Sequence, residues 1–230
     1  MLNVTMNSDV FIVIPMYNEV HVIKDVVSNL SSHYKNIVIV DDSSTDGSAD
    51  VLKDSGVIIL RHVVNLGQGA AIQTGITYSI TKGAQYIVTF DSDGQHQVQD
   101  IDKLLLPLRS KSYDVALGSR FLGEAVNIPK IRLYLIKIAV WVDRFIYKYS
   151  FTDTHNGLRA FTASAARKIC ITQNRMAHAS QILRQIHEQH LKFVEVPITI
   201  IYSAYSLNKG QSNSNALNII IELLEEKLFK

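Results

Sequence analysis

Residues 86–96 read YIVTFDSDGQH: five residues of strand-forming type run straight into two aspartates two apart, a glycine, a glutamine and a histidine. A short, nearly continuous apolar run with no polar alternation suits a strand buried on both faces, as in a parallel sheet. The same grammar recurs upstream. Residues 10–14 (VFIVI) lead into Pro15-Met16-Tyr17-Asn18-Glu19, residues 37–40 (IVIV) lead into Asp41-Asp42-Ser43-Ser44-Thr45-Asp46-Gly47, and residues 57–60 (VIIL) form a further run. Stretches of helical length and period separate them at 20–33, 49–55 and 68–82, so strands and helices alternate as in βαβ units. Beyond these, the pattern predicts a helix at 98–109, a short strand at 115–118, an irregular connection after it, a helix at 176–189, a strand at 193–201, a polar loop at 208–215 and a helix at 216–229. The expected fold is α/β, with a mostly parallel central sheet flanked by helices. In open sheets of this kind ligands bind outside the carboxyl ends of the strands. Here three strand ends deliver polar clusters to that edge.

Composition narrows the field of functions. The chain has 230 residues, 47% of them hydrophobic and 19% charged, enough for one globular domain with a sizeable core. We expect a single domain over 1–230, with a ligand-binding half at about 8–120 and a second half at about 121–230. The lone Cys170 forms no intramolecular disulfide, and no Cys/His cluster has zinc spacing, which points to a reducing, cytoplasmic setting. Twenty-three basic against 21 acidic residues leave a net charge of +2, too little field to hold nucleic acid. The amino-terminal MLNVTMNSDV lacks a basic stretch followed by an apolar one, so no secretory leader is expected.

Residues 131–149 are the nearest approach to a membrane span, but Arg132, Lys137, Asp143, Arg144 and Lys148 interrupt them. Projected at about 100° per residue, the segment is an amphipathic helix with an apolar arc of Tyr134, Leu135, Ile138, Ala139, Val142, Phe145 and Ile146. Such an arc packs against the sheet domain or a second copy of the chain, or lies on a membrane whose anionic headgroups meet the basic residues.

Alternate side chains of an extended segment share a side, so Asp91 and Asp93 can face one point. Paired carboxylates of this kind suit Mg²⁺ or Mn²⁺, with the remaining ligands from water and substrate phosphates; Gln95 can add a carbonyl oxygen. Acidic pairs after strands also serve as caps and solvated turns, so one pair decides little. Gly67-Gln68-Gly69 opens a helix after an apolar run and imitates a dinucleotide-binding loop, yet Ile72 holds the third glycine position and the motif follows the third strand. A nicotinamide-dependent oxidoreductase is a poor fit.

The segments IPMYNE (14–19), VDDSSTDG (40–47), NLGQGAAIQTG (65–75), FDSDGQH (90–96), GSR (118–120), DTHNGLRAF (153–161) and YSLNKGQSN (205–213) occur in this order. As an ordered set they resemble the family 2 glycosyltransferases of GT-A fold, especially the dolichyl-phosphate mannosyltransferase and bacterial polyprenyl-phosphate glycosyltransferase branch. The resemblance implies a nucleotide-sugar donor whose base and ribose meet Pro15, Tyr17, Asn18, Glu19 and Asp42, with further donor contacts at Gly69, Asp91 and Ser92. It implies a divalent ion on Asp91, Asp93 and Gln95, inversion at the anomeric carbon, and Asp153 as the base or acceptor-orienting acid. Arg120, Arg159 and Lys209 are the candidate cations for donor or acceptor phosphate, with Lys209 or Tyr205 standing where the mannosyltransferases carry a late arginine. His155 is a second titratable group beside Asp153.

The implied reaction moves a hexose from a UDP- or GDP-sugar to a polyprenyl phosphate or to a glycan or glycolipid acceptor in cell-envelope synthesis. Many lipid-carrier members continue into transmembrane helices, whereas this sequence ends at Lys230, so the expectation is a peripheral protein on the inner face of the cytoplasmic membrane or a partner of a separate membrane subunit. Two other classes fit an α/β sheet with an acidic edge: a nucleotide-sugar-forming nucleotidyltransferase and a non-catalytic nucleotide-sugar-binding protein. The first normally carries a Gly-rich signature near its first strand, and PMYNEVHV contains no glycine.

Overall fold

The computed structural model describes residues 7–147, 151–174 and 177–209; of residues 142, 143, 145–147, 208 and 209 only the backbone is described. Seven strands, β1 (Val10–Met16), β2 (Asn36–Asp41), β3 (Ile58–Arg61), β4 (Tyr86–Thr89), β5 (Val115–Val126), β6 (Arg159–Thr162) and β7 (Phe193–Ile201), form one sheet in the order β3-β2-β1-β4-β6-β5-β7. All neighbouring pairs are parallel except those of β6, which runs antiparallel to both β4 and β5. The helices are α1 (Ile23–Ser31), α2 (Gln68–Thr81), α3 (Gln99–Arg109), α4 (Lys130–Tyr147), α5 (Ala163–Ala166), α6 (His178–Glu188) and α7 (Ala204–Lys209).

The continuous apolar runs are explained by two cores, one on each face of the sheet. In β1, Val10, Ile12, Ile14 and Met16 join the core built with Val26, Val27 and Leu30 of α1 and Leu104, Leu105 and Leu108 of α3. Phe11 and Val13 face the other way, into the core with Ile72 and Ile76 of α2 and Ile182, Leu183 and Ile186 of α6. The period-2 geometry of a strand thus sends every residue of β1 except Pro15 into one core or the other.

Four expectations are corrected, and one strand, β6, has no counterpart among them. Residues 49–55 make only a 3-10 turn at Asp50–Leu52, too short a segment to repay helix nucleation. β5 does not end at Gly118 but continues to Val126 through an irregularity between Ser119 and Glu124. β6, four residues with Arg159 inside it, has no sequence signal of its own and exists because β4 and β5 flank it. Asn208 and Lys209 close the short α7, so the expected loop at 208–215 starts in a helix; residues 210–215 and the expected helix at 216–229 lie outside the described residues. In α4, Ala139 and Val140 are buried while Tyr134 is 68% exposed, which removes Tyr134 from the packing arc. Among the described residues no helix is long and apolar enough to cross a membrane.

Helix α2 lies against β1 and β2 at Gly75, where a Cβ would overlap Val13 and approach Val40 Cγ2 at 3.2 Å. Gly75→Ala gains about 1 kcal/mol of helix propensity but overpacks two branched side chains on a rigid sheet, at roughly 1–3 kcal/mol. The expected net result is a lower urea midpoint with an unchanged slope, measured by circular dichroism.

Candidate active site

The carboxyl ends of β1, β2 and β4 meet at one edge, and their loops are laced together. The Asn18 amide donates to Ser44 Oγ (2.9 Å) while Asn18 Oδ1 accepts from the Thr45 amide (2.8 Å). The Glu19 amide donates to Ser48 Oγ (2.6 Å) and the Val20 amide to Asp46 Oδ2 (3.1 Å). Asn18 holds φ +54°, a left-handed conformation that asparagine tolerates better than most residues. Pro15 is buried opposite Val40, beyond the last β1–β4 pair, where its missing N–H breaks no ladder on that side. Tyr17 is 45% exposed at the mouth of this loop. Glu19 is buried and accepts from the Tyr205 hydroxyl of α7 (2.9 Å), placing α7 over the same edge.

Asp42 is committed to the chain itself. Its Oδ1 accepts from His62 Nδ1 (2.8 Å) and the Leu66 amide (2.9 Å), and its Oδ2 from the Gly67 amide (2.7 Å). His62 Nε2 meets Thr74 Oγ1 at 2.9 Å. One buried carboxylate therefore anchors the turn that enters α2. Gly67, at φ +98°, completes that turn. Gly69 faces the 173–174 segment: its amide donates to the Asn174 carbonyl (2.7 Å), and a Cβ would overlap the Gln173 carbonyl.

The acidic pair follows β4. Asp91 Oδ1 accepts from Gln68 Nε2 (3.1 Å) and Oδ2 from His96 Nε2 (2.9 Å), and Gly157 packs so closely that a Cβ there would overlap this carboxylate. Asp93 accepts from the Gln95 amide (3.1 Å) and from Gln95 Nε2 (2.6 Å) across the turn at Gly94, whose φ is +75°. Ser92 is buried between them. Burial pushes the Asp91 carboxyl up, but the hydrogen bond and charge of His96, with His178 and Arg159, pull harder and hold it below the usual carboxylate range. Burial, and then the charge of Asp91, push Asp93 up to about 6. Two carboxylates whose repulsion is this marked fit a divalent cation. Among the described residues no group of three or more His, Cys, Asp or Glu converges on a metal position, so water and substrate oxygens would complete the coordination.

A second charged cluster comes from β5 and the 151–158 segment. Asp153 Oδ2 accepts from the Arg120 amide (3.0 Å), Arg120 Nε (2.7 Å) and Asn156 Nδ2 (3.3 Å); Arg120 Nη1 donates to the Tyr202 hydroxyl (2.6 Å). Asp153 Oδ1 is buried and has no hydrogen-bond partner among the described residues. Burial works against the Arg120 charge, but Asp153 and Tyr202 hold the guanidinium well above its ordinary range. Arg159, also buried, donates to the carbonyls of Asn156 (3.0 Å) and Thr154 (3.2 Å). Burial pushes it down to about 10, against the fields of Asp91 and Asp153, so its charge lies between the two acidic sites. The Lys209 side chain lies outside the described residues. Partners that the sequence motifs do not assign are Gln68, His96 and Asn156, Tyr202, and Glu195, whose single trace in the sequence is a charge inside an apolar strand.

Asp42→Asn leaves at least one part-buried amide of residues 66–67 facing an NH₂ group. It should cost about 1–3 kcal/mol, read as a lower urea midpoint, with exchange quickening first at the amides of Leu66 and Gly67.

The family model for Glycosyl transferase family 2 matches residues 11–194. The chain is 33% identical over 243 residues to the UDP-N-acetylglucosamine–dolichyl-phosphate N-acetylglucosaminyltransferase of Methanococcus voltae, covering 96% of this chain and 97% of that protein. It is 28% identical over 228 residues to the polyprenol monophosphomannose synthase of Mycolicibacterium smegmatis, covering 93% and 85%. Among solved structures, glucosyl-3-phosphoglycerate synthase of Mycobacterium tuberculosis superposes with a TM-score of 0.75 at 13% identity over 96% of this chain and 79% of that one, a likeness of fold. With the sheet order, the acidic edge and a family match across most of the sequence, the chain belongs to glycosyl transferase family 2 and is a glycosyltransferase of GT-A fold.

Proposed function

We propose that this glycosyltransferase moves a hexose, with inversion, from a UDP- or GDP-sugar to a polyprenyl phosphate, using Mg²⁺ or Mn²⁺. The observation that carries the reading is the convergence of two charged clusters on one sheet edge: Gly157 packs on Asp91 only four residues after Asp153, which is paired with Arg120. The relatives named for transfer to dolichyl phosphate and for making a polyprenol monophosphomannose support the acceptor, and the Mn²⁺ and UDP-glucose named with the mycobacterial synthase support the ion and donor class. In this reading Pro15, Tyr17, Asn18 and Glu19 line the base and ribose pocket, with Asp42 shaping it through the 62–67 turn, Gly69 setting the approach of α2, and Ser92 beside the diphosphate. Asp91 and Asp93 hold the ion, with Gln95 orienting Asp93. The bound ion supplies positive charge against the diphosphate leaving group. A phosphate acceptor is already an anion and needs positioning more than a base. Arg120 then serves that phosphate, Asp153 orients Arg120, and Arg159 and Lys209 add positive field.

The partnerless Asp153 Oδ1 favours a second reading, transfer to a sugar hydroxyl, because it is an acceptor oxygen left over for the hydroxyl proton. A lipid acceptor also gives α4 a purpose. Ile131, Tyr134 and Trp141 are each about two-thirds exposed on one side of it, flanked by exposed Lys130, Lys137 and Arg144, as on helices that lie in anionic membrane surfaces. Arg132 stacks on the Tyr202 ring (5.1 Å) and Arg144 Nε donates to the Phe151 carbonyl (2.8 Å), joining that helix to the site. On this reading the enzyme works peripherally on the cytoplasmic face of the membrane; a second copy covering α4 is the competing occupant.

Calorimetric titration with UDP-N-acetylglucosamine and a panel of GDP-hexoses should show binding of one donor that depends on Mn²⁺. Asp93→Asn keeps the volume and should retain the fold while transfer falls by about 10³-fold; transfer at the wild-type rate would remove the metal assignment. In sedimentation with vesicles, the full chain should bind phosphatidylglycerol-containing bilayers more than pure phosphatidylcholine, and Trp141→Ser with Lys137→Glu should abolish the difference. A shift from dimer to monomer in that variant, with lipid binding retained, would identify the second copy instead.

A further inference from the structure

We propose that Glu195 is a positioning residue that fixes the main chain carrying Asp153 against the strand carrying Arg120; the proposal rests on the reading of Asp153 and Arg120 as acceptor-side groups. Residues 151–158 lie outside every strand and helix, so their amides have no ladder partners and need others. Glu195, on β7 opposite Leu117 of β5, supplies them through one oxygen: Oε1 accepts from the Thr152 amide (2.7 Å), the Thr152 hydroxyl (2.7 Å) and the Asp153 amide (3.3 Å). An ionised carboxylate oxygen only accepts, and this sets the direction of the adjoining hydroxyl hydrogen bonds. The Thr152 proton points at Glu195, so in the 2.6 Å contact between Ser119 and Thr152 it is Ser119 that donates. Ser119 Oγ in turn accepts from the Leu122 amide (3.2 Å).

The result is a one-way chain from Leu122 through Ser119 and Thr152 to Glu195, in which each hydroxyl polarises the next. Ser119 is fully buried and precedes Arg120, whose amide and Nε both donate to Asp153 Oδ2. The same chain therefore sets the height of Arg120 on β5 and of Asp153 on its loop. Glu195 itself contacts neither the acidic pair nor the Arg120 guanidinium in any hydrogen bond among the described residues, so its effect on transfer runs through Thr152 and Asp153. It lies outside every motif segment of the sequence, on the far side of the sheet order from β1 and β2, where the proposed donor-base pocket lies.

The test compares Glu195→Ala and Glu195→Gln in the full chain. Glutamine keeps an acceptor oxygen, whereas alanine strands two amides and a hydroxyl. We expect Glu195→Ala to lose about 10²-fold in kcat, the scale of a small misplacement of catalytic groups, with donor affinity by calorimetry and KM for the nucleotide-sugar unchanged, and Glu195→Gln to restore kcat to within a few-fold of wild type. Amide hydrogen exchange should quicken at Thr152 and Asp153 in the alanine variant and leave α2 and α6 as they were. Unaltered exchange at those two amides, unaltered kcat, or a parallel loss of donor affinity and kcat would each overturn the proposal. Absence of transfer to dolichyl phosphate by the wild type from the nucleotide-sugar that it binds would count against the acceptor reading, and the exchange measurement would then still decide whether Glu195 holds the loop.

Discussion

A half-buried carboxylate needs donors, and the way Asp91 finds them organises the site. Its two oxygens draw on Gln68 at the start of α2 and on His96 beyond its own turn, and its flank is closed by Gly157 from the segment before β6. Four separate stretches of chain, the end of β4, the first turn of α2, the 94–96 turn and the 153–158 segment, are thereby brought together around one side chain. A methyl group at residue 157 would intrude on the place the carboxylate occupies, so the glycine of DTHNGLRAF is a steric requirement of the aspartate in FDSDGQH.

The charges around this point alternate. His96 keeps Asp91 ionised; Asp91 pushes the proton affinity of Asp93 upward; Arg159 sits in the field of both Asp91 and Asp153; and Asp153 is neutralised by Arg120. Buried ion pairs contribute little net stability, because desolvation consumes most of the attraction. Their worth here is in pre-orienting charge. In the proposed reaction, an anionic diphosphate and an anionic acceptor would approach one edge only if fixed positive groups met them with no reorganisation at the moment of transfer.

Much of this was legible in the sequence, for reasons that particular residues make plain. The both-face burial of β1, β2 and β4 left continuous apolar runs, and strand ends in a parallel sheet share an edge, so the acidic pair and the Asn18-Glu19 and Asp42 loops could be placed together from local pattern. Partners that depend on tertiary contact left no such trace. Asp42 reads as a ligand in its motif, and in the fold it also accepts from His62 and from the amides of residues 66 and 67, which become neighbours only when β3 returns beside β2. Tyr202 and Glu195 sit in or beside an apolar strand, and their roles come from β7 pairing with β5, a contact that no local period encodes.

The least legible element explains the placement of the Asp153–Arg120 pair. β6 runs against its neighbours, with Arg159 opposite Thr89 at the carboxyl end of β4 and opposite Leu117 on β5. In a parallel strand the residues that reach the active edge are those that come after it; in a reversed strand they are those that precede it. That is why Gly157 comes before β6 in the sequence and still stands beside Asp91, which comes after β4, with Asp153 and Asn156 on the same short segment. It is also why Ser119 and Arg120, leaving β5 in the parallel sense just past Leu117, meet Asp153 head-on. A sheet of seven parallel strands would have carried the 153–158 segment to the opposite edge, about the length of a strand away, and separated the acid from the cation and from the carboxylate pair. One four-residue strand, inserted backwards, brings the segment that carries Asp153 to the same edge as the carboxylate pair.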